Sequence, residues 1–213
     1  MRALGRFTLW AVVGIISVIV LFRLTAIRWW KVPEDDPYLV ASIGPELRGG
    51  DWVLLWRLSP PAVGSLAVCP EPKHSDRIVV GRMIGEEGQK VTVTGTTIEI
   101  NGKRLASEGG CSAPRFKVKA PRNNNEIELR CTTEVVNGSV HERGEAEAIA
   151  DLPTFEAELH AGEVLLVSDN RRFPYDSRDF GVVDRSTCKE TVFFRLIGRE
   201  GFFHSATRFT YIR

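Results

Sequence analysis

A mostly β fold behind one N-terminal apolar helix is the architecture this sequence predicts, and three observations predict it. Beyond residue 40, short apolar runs alternate with turn residues at the spacing of strands. No stretch of that region carries a long helical period. Ahead of it, Phe7 to Phe22 reads FTLWAVVGIISVIVLF without a single charge. The chain has 213 residues, 43% hydrophobic and 26% charged, enough to bury the core of one medium domain or two small ones.

The uncharged run makes about 24 Å of helix, and Leu24, Ile27, Trp29 and Trp30 extend its apolar character while Arg23 can snorkel. A cleaved secretory signal would show a shorter apolar core and a small-x-small site close behind it, and none follows. Residues 1–31 are therefore expected to form a single membrane anchor with the tryptophan pair at the interface. Arg2 and Arg6 balance Arg23, Arg28 and Lys31, so charge alone leaves its orientation open.

Strands are expected at Trp52–Leu58, Ser65–Cys69, Arg77–Ile84, Val91–Thr94, Thr97–Ile100, Glu126–Cys131, Glu163–Val167 and Thr191–Leu196. Asn101-Gly102 is a hairpin turn signal, and Asn137-Gly138 reads as a second turn. A net charge of +1, with Lys and Arg scattered among Asp and Glu, excludes a nucleic-acid-binding face. The four cysteines lack C-x-x-C spacing and the four histidines are dispersed, so no metal site or cofactor is expected. Cys111 and Cys131 are either joined or two free thiols, and Cys69, within SLAVC, reads as a small buried hydrophobe.

Three segments carry more specific information. SDNRRFPYDSRDFGVV, Ser168 to Val183, resembles the pattern G-D-N-x-x-x-S-x-D-S-R-x-x-G-x-V of the type I signal peptidases, matching at Asp169, Asn170, Asp176, Ser177, Arg178, Gly181 and Val183. ASIGPELRGGDWVLL, Ala41 to Leu55, resembles their nucleophile box, with Ser42 at the nucleophile position and Pro45, Leu47, Gly50, Asp51 and Val53 in step. DRIVVGRMIGEEGQKV, Asp76 to Val91, resembles their lysine box at Asp76, Ile78, Arg82, Ile84, Gly85, Gly88 and Val91. There the general-base lysine is replaced by Gly81. The resemblance implies a signal peptidase-like antiparallel β core at 32–104 and 161–213 and an inserted variable β region at 105–160. It also implies a β domain on the extracytoplasmic side, with exported preproteins or their leader peptides and the lipid bilayer as partners.

A serine hydroxyl is a poor nucleophile until a neighbouring base takes its proton. In the serine-lysine version, burial lowers the lysine pKa so that the amine is neutral at working pH. A serine beside proline and glycine is ordinarily a turn residue; the surrounding box makes Ser42 the candidate nucleophile. Strand alternation puts Val79, Gly81 and Met83 on one face and Ile78, Val80 and Arg82 on the other, and a guanidinium is no base. Arg82 is expected to pair with Asp169 or Asp176. The arginines interleaved with Asp169, Asp176 and Arg178 favour a structural ion-pair network over an acid site, and Ser177 is implied to support without attacking.

Four further departures weaken the chemistry: Val40 where a relative's oxyanion donor stands, Pro174 in place of the serine that supports the lysine, Ser168 in place of the initial glycine of the last box, and Ile43 where a methionine follows the nucleophile. Lys73, His74, Lys90, His160 and His204 remain as substitute bases, each an ordinary surface residue otherwise. Two readings follow: a membrane-anchored serine endopeptidase that removes leader peptides with a substitute base, or an inactive relative that binds leader peptides or a processing partner.

Overall fold

The structure, a computed structural model, describes residues 2–107, 109–145 and 153–212. The side chains of residues 2–8, Arg2 and Arg6 among them, and residues 146–152 of the expected insertion lie outside the described part. Helix α1 spans Arg2–Thr25 and turns through Ala26 into strand β1, Ile27–Lys31. From Leu9 to Leu24 its large apolar side chains are exposed on every face.

Among the described residues no helix is long and apolar enough to cross a membrane, which corrects the single-pass anchor expected over 1–31. The physical reason is length: the uncharged run reaches about 24 Å against a hydrocarbon core of about 30 Å, and the residues expected to prolong it form a strand. Trp29 and Trp30 pair with Leu54 and Val53 in β2, Trp52–Trp56. Arg23, instead of snorkelling, donates to Ile27 O at 2.8 Å and lies 4.6 Å from the Trp29 ring centroid.

After β1 comes a short helix α2, Pro37–Ser42. The chain then runs through β2, β3 (Leu66–Glu71), β4 (His74–Ile84), β5 (Lys90–Thr94), β6 (Thr97–Ile100) and β7 (Lys103–Arg104). β8 (Gly110–Lys119), β9 (Glu126–Val136) and β10 (Ser139–Glu145) follow, then β11 (Phe155–Glu158) and β12 (Glu163–Val167). The one-turn helix α3 (Ser177–Phe180) precedes β13 (Val183–Asp184), β14 (Glu190–Ile197) and β15 (Thr210–Tyr211).

The described strands make three antiparallel sheets. The largest is ordered β1-β2-β14-β3-β4-β12-β13, with β15 on β14. β10-β9-β8 form the second, and β11-β5-β6-β7 the third. β11 lies within the range expected to be inserted, yet it pairs with β5 because Phe155 and Ala157 turn toward the cluster of Val91, Val93, Ile98 and Leu165.

Strand alternation sorts the core of the main sheet. On one face Val80 packs with Leu39, Ile43, Leu55, Leu66 and Val192; on the other Val79 and Met83 pack with Ala67, Leu166 and Phe180. Each such aliphatic side chain contributes about 1.5–3 kcal/mol by leaving water. A smaller cluster of Ala41, Phe116, Val118, Leu129 and Cys131 joins α2 to the β8–β9 hairpin. Cys111 and Cys131 are bonded across that hairpin. Cys69 is buried as expected but is bonded to Cys188, tying β3 to the segment ahead of β14. The two cysteines are far apart in sequence, so nothing in their spacing reveals the pair.

Candidate active site

Helix α2 delivers Ser42. Pro37 suits its first turn, and the Asp36 carboxylate caps it by accepting from Tyr38 N and Leu39 N at 3.0 Å each. Leu39 and Ile43 hold it to the sheet. Ser42 is 1% exposed, and its hydroxyl donates to Leu39 O at 3.0 Å, one turn back.

Asn170 ties the last motif to that helix. Its N–H donates to Ser42 O at 2.9 Å and its side-chain amide to Ala41 O at 2.7 Å. Its own side-chain oxygen accepts from the backbone of Arg172 and Phe173, so a single residue fixes the loop's curvature and its distance from Ser42. Beside it Arg82 pairs with Asp169 through Nε at 3.2 Å and Nη2 at 2.8 Å, and Nη1 reaches Gly64 O at 3.1 Å. Both side chains are fully buried. Burial opposes the charge on Arg82, and the Asp169 carboxylate outweighs it, keeping the guanidinium firmly protonated.

Asp176 caps α3 and accepts from Ser168 N as well as from Arg178 Nε and Nη2, at 2.8, 2.9 and 2.7 Å. Burial works to raise its pKa, but the Arg178 bonds prevail and hold it below the ordinary value. Ser177 is buried and accepts from Leu166 N at 2.9 Å. It supports β12 at the point where β12 faces Gly81.

Gly81 lies opposite Ala67 in β3, on the Val79 and Met83 side of β4. A Cβ there would meet Leu166 Cβ at 3.2 Å and Val167 N and O at 3.4 Å. The room that glycine leaves is thus taken by β12. Of the substitute bases, Lys73 donates to Asp179 O at 3.3 Å, Lys90 pairs with Glu156 at 2.8 Å, and the His204 ring lies 3.0 Å from Thr207 Oγ1. His74 and His160 are exposed. The bond to Glu156 raises the Lys90 pKa, the wrong direction for a base. Among the described residues none of the five hydrogen-bonds Ser42.

Sequence reasoning missed a buried ionic cluster behind this loop. His141 is fully buried, with Nε2 3.6 Å from a Glu134 oxygen and 3.7 Å from an Asp169 oxygen. Burial, reinforced by Arg82, Arg171 and Arg143, holds its ring neutral, well below the usual pKa. Glu134 also takes Arg143 at 3.1 Å and Arg171 at 2.5 Å. The legible signal was alternation: His141, Arg143 and Glu145 share one face of β10. Cys111, Cys131 and Glu142 bring ligand-type atoms within 4.8 Å of one another, but the two sulfurs are spent in the disulfide.

A groove of about 780 Å³ opens beside α2, walled by Tyr38, Arg77, Arg122, Phe173, Pro174 and Tyr175. Tyr38 stands four residues before Ser42, on the same helix face, and its ring lies 5.7 Å from that of Tyr175.

A serine presented on a capped helix, a loop locked to it through asparagine and two arginine–aspartate pairs make a scaffold of the serine-peptidase kind. The chain belongs to the signal peptidase family, peptidase S26, whose family model matches residues 6–197. Among solved structures it is similar to a signal peptidase I from Enterococcus faecalis V583, at 25% identity and a TM-score of 0.37, over 63% of this chain and 97% of that one. No curated protein matches the chain.

Proposed function

We propose that this chain is a leader-peptide endopeptidase that processes exported preproteins, with Ser42 as nucleophile. The observation that carries the reading is the frame around Ser42: Asn170 bonds α2 twice, the Arg82–Asp169 pair is fully buried, and Asp176 is buried against a half-buried Arg178. Family membership points to exported preproteins as substrates. Ser42 attacks the scissile carbonyl, and its proton passes to a base that is neither Gly81 nor the present partner of the hydroxyl, Leu39 O. The Ser42 hydroxyl leaves Leu39 O for that step. The protein works at a membrane, where lipid covers the apolar side chains of α1 and the β domain lies outside the cytoplasm. The proposed domain division is a core of 32–104 and 161–213 with 105–160 inserted, the end of that insertion returning through β11 to pair with β5 of the core.

A second reading has its own support. The burial of Ser42 and the close approach of Leu166 to Gly81 favour a relative that binds leader segments without cutting them. The test is cleavage of a leader-bearing preprotein by the detergent-solubilised full chain, beside Ser42→Ala. Product that disappears in the variant, with an unchanged melting temperature, is the expected result. A wild-type protein that binds the leader but forms no product would establish the binding-only reading.

A further inference from the structure

The groove beside α2 carries a charge pattern that the cleavage chemistry does not explain. Three arginines line it, Arg77, Arg122 and Arg172, with Asp179 the one acidic side chain in its wall. Arg77 is already engaged by Glu71 at 3.6 Å and Asp36 at 3.9 Å, and it lies over the Tyr175 ring. The Asp179 carboxylate accepts from Asp176 N at 3.1 Å as part of the α3 cap. Arg122 and Arg172 have no carboxylate partner among the described residues. Arg172 is half-buried, with its guanidinium 5.4 Å from the Phe173 ring centroid. Phe173 packs on the cluster that contains Ala41 and Phe116, so its backbone neighbour is held on a packed segment. Arg122 stands at the tip of the β8–β9 hairpin, exposed to solvent.

Two guanidiniums with no carboxylate partner among the described residues, both in the wall of one aromatic-lined groove, form a receptor for a carboxylate. A guanidinium offers a planar fork that matches a carboxylate in two hydrogen bonds, and the partly enclosed wall near Arg172 screens that pairing less than open water does. We propose that this groove selects peptide segments bearing an acidic side chain near the leader junction, held by Arg122 and Arg172. The inference rests on the leader-binding reading above, and adds to it a substrate class.

The test is fluorescence anisotropy with the full chain in detergent and a labelled leader peptide in which one Asp is moved through the positions flanking the junction. Each peptide has an Asn control. At one position the Asp peptide should bind about fivefold tighter or better, as expected of one partly screened ion pair, and added salt should shrink the ratio. The ratio should fall to about one in Arg122→Gln/Arg172→Gln and stay above one in Arg122→Lys/Arg172→Lys. Equal binding of all Asp and Asn pairs by the wild type, or a ratio that survives the Gln pair, overturns the proposal. Binding of no peptide at all sinks the leader-binding reading with it. Repeating the assay with vesicles of anionic and of neutral phospholipid separates the remaining source of negative charge. If the Gln pair loses only the preference for anionic vesicles and keeps the Asp ratio, the arginines serve lipid phosphate and the proposal fails.

Discussion

Gly81 and Leu166 determine which side chains position 81 can hold. A lysine at 81 places its Cβ 3.2 Å from Leu166 Cβ, tighter than comfortable contact, and overpacking of that kind costs about 1–3 kcal/mol. Gly81→Lys alone should therefore lower the melting temperature and yield little cleavage. The double variant Gly81→Lys/Leu166→Gly, which removes the Cβ that the new side chain meets, should recover part of both, read by thermal melts and by product formation on a leader-bearing preprotein. Asp169→Asn keeps the shape of its side chain but strands the buried Arg82 charge, and should cost about 3–5 kcal/mol by urea denaturation. Glu46 supplies a pH test. Burial pushes its carboxyl up to about 7, with Arg82 pulling it down and Asp169 adding to the rise. The folded protein then holds a proton that the unfolded chain releases above about 4.5, so this group's contribution to stability falls as pH climbs from there toward 7. Glu46→Gln should gain on the wild type at pH 8 relative to pH 5 in denaturant titrations.

Among the elements, α2 shows how much depends on caps and on one borrowed bond. Its six residues are too few to be stable alone, and Asp36 at one end and Asn170 at the other hold it in place. The Cys69–Cys188 bond closes a span of 119 residues, and replacing both cysteines by serine should cost about 2–4 kcal/mol, seen as a lower melting temperature under non-reducing conditions and a smaller further drop on adding reductant than the wild type shows, since Cys111–Cys131 remains. Helix α1 exposes apolar side chains around its whole circumference, the pattern of a helix covered by something other than this domain. Removing residues 1–25 should abolish flotation with liposomes while leaving the thermal melt of the β domain largely unchanged.

At the scale of the whole molecule, β2, β3, β4, β12 and β14 of the main sheet were legible because apolar alternation and turn residues mark them, whereas β1 reads as the end of the apolar anchor and the two-residue strands β13 and β15 are too short to carry a period. β8 and β10 were not, since their sequences are dense in Arg, Lys, Glu and Gly and their inward faces are partly polar. The positions of Ser42 and the Asp-Ser-Arg loop could be read from motifs. Of the Glu134, His141 and Arg171 cluster only the shared face of His141, Arg143 and Glu145 could be read; its pairing could not, because its charges come from strands and a loop that meet only after folding. Which strands pair across long gaps is likewise a product of the fold: β14 sits between β2 and β3, inserting the C-terminal part of the chain beside the first strands. A last consequence comes from the junction of α1 with β1. Only Ala26 separates them; it is fully buried, its N–H bonds Phe22 O at 2.8 Å, and its carbonyl takes Arg57 N at 3.0 Å. The helix therefore behaves as a post and not as a leash. Whatever surface grips α1 sets the height and tilt at which the β domain stands above it.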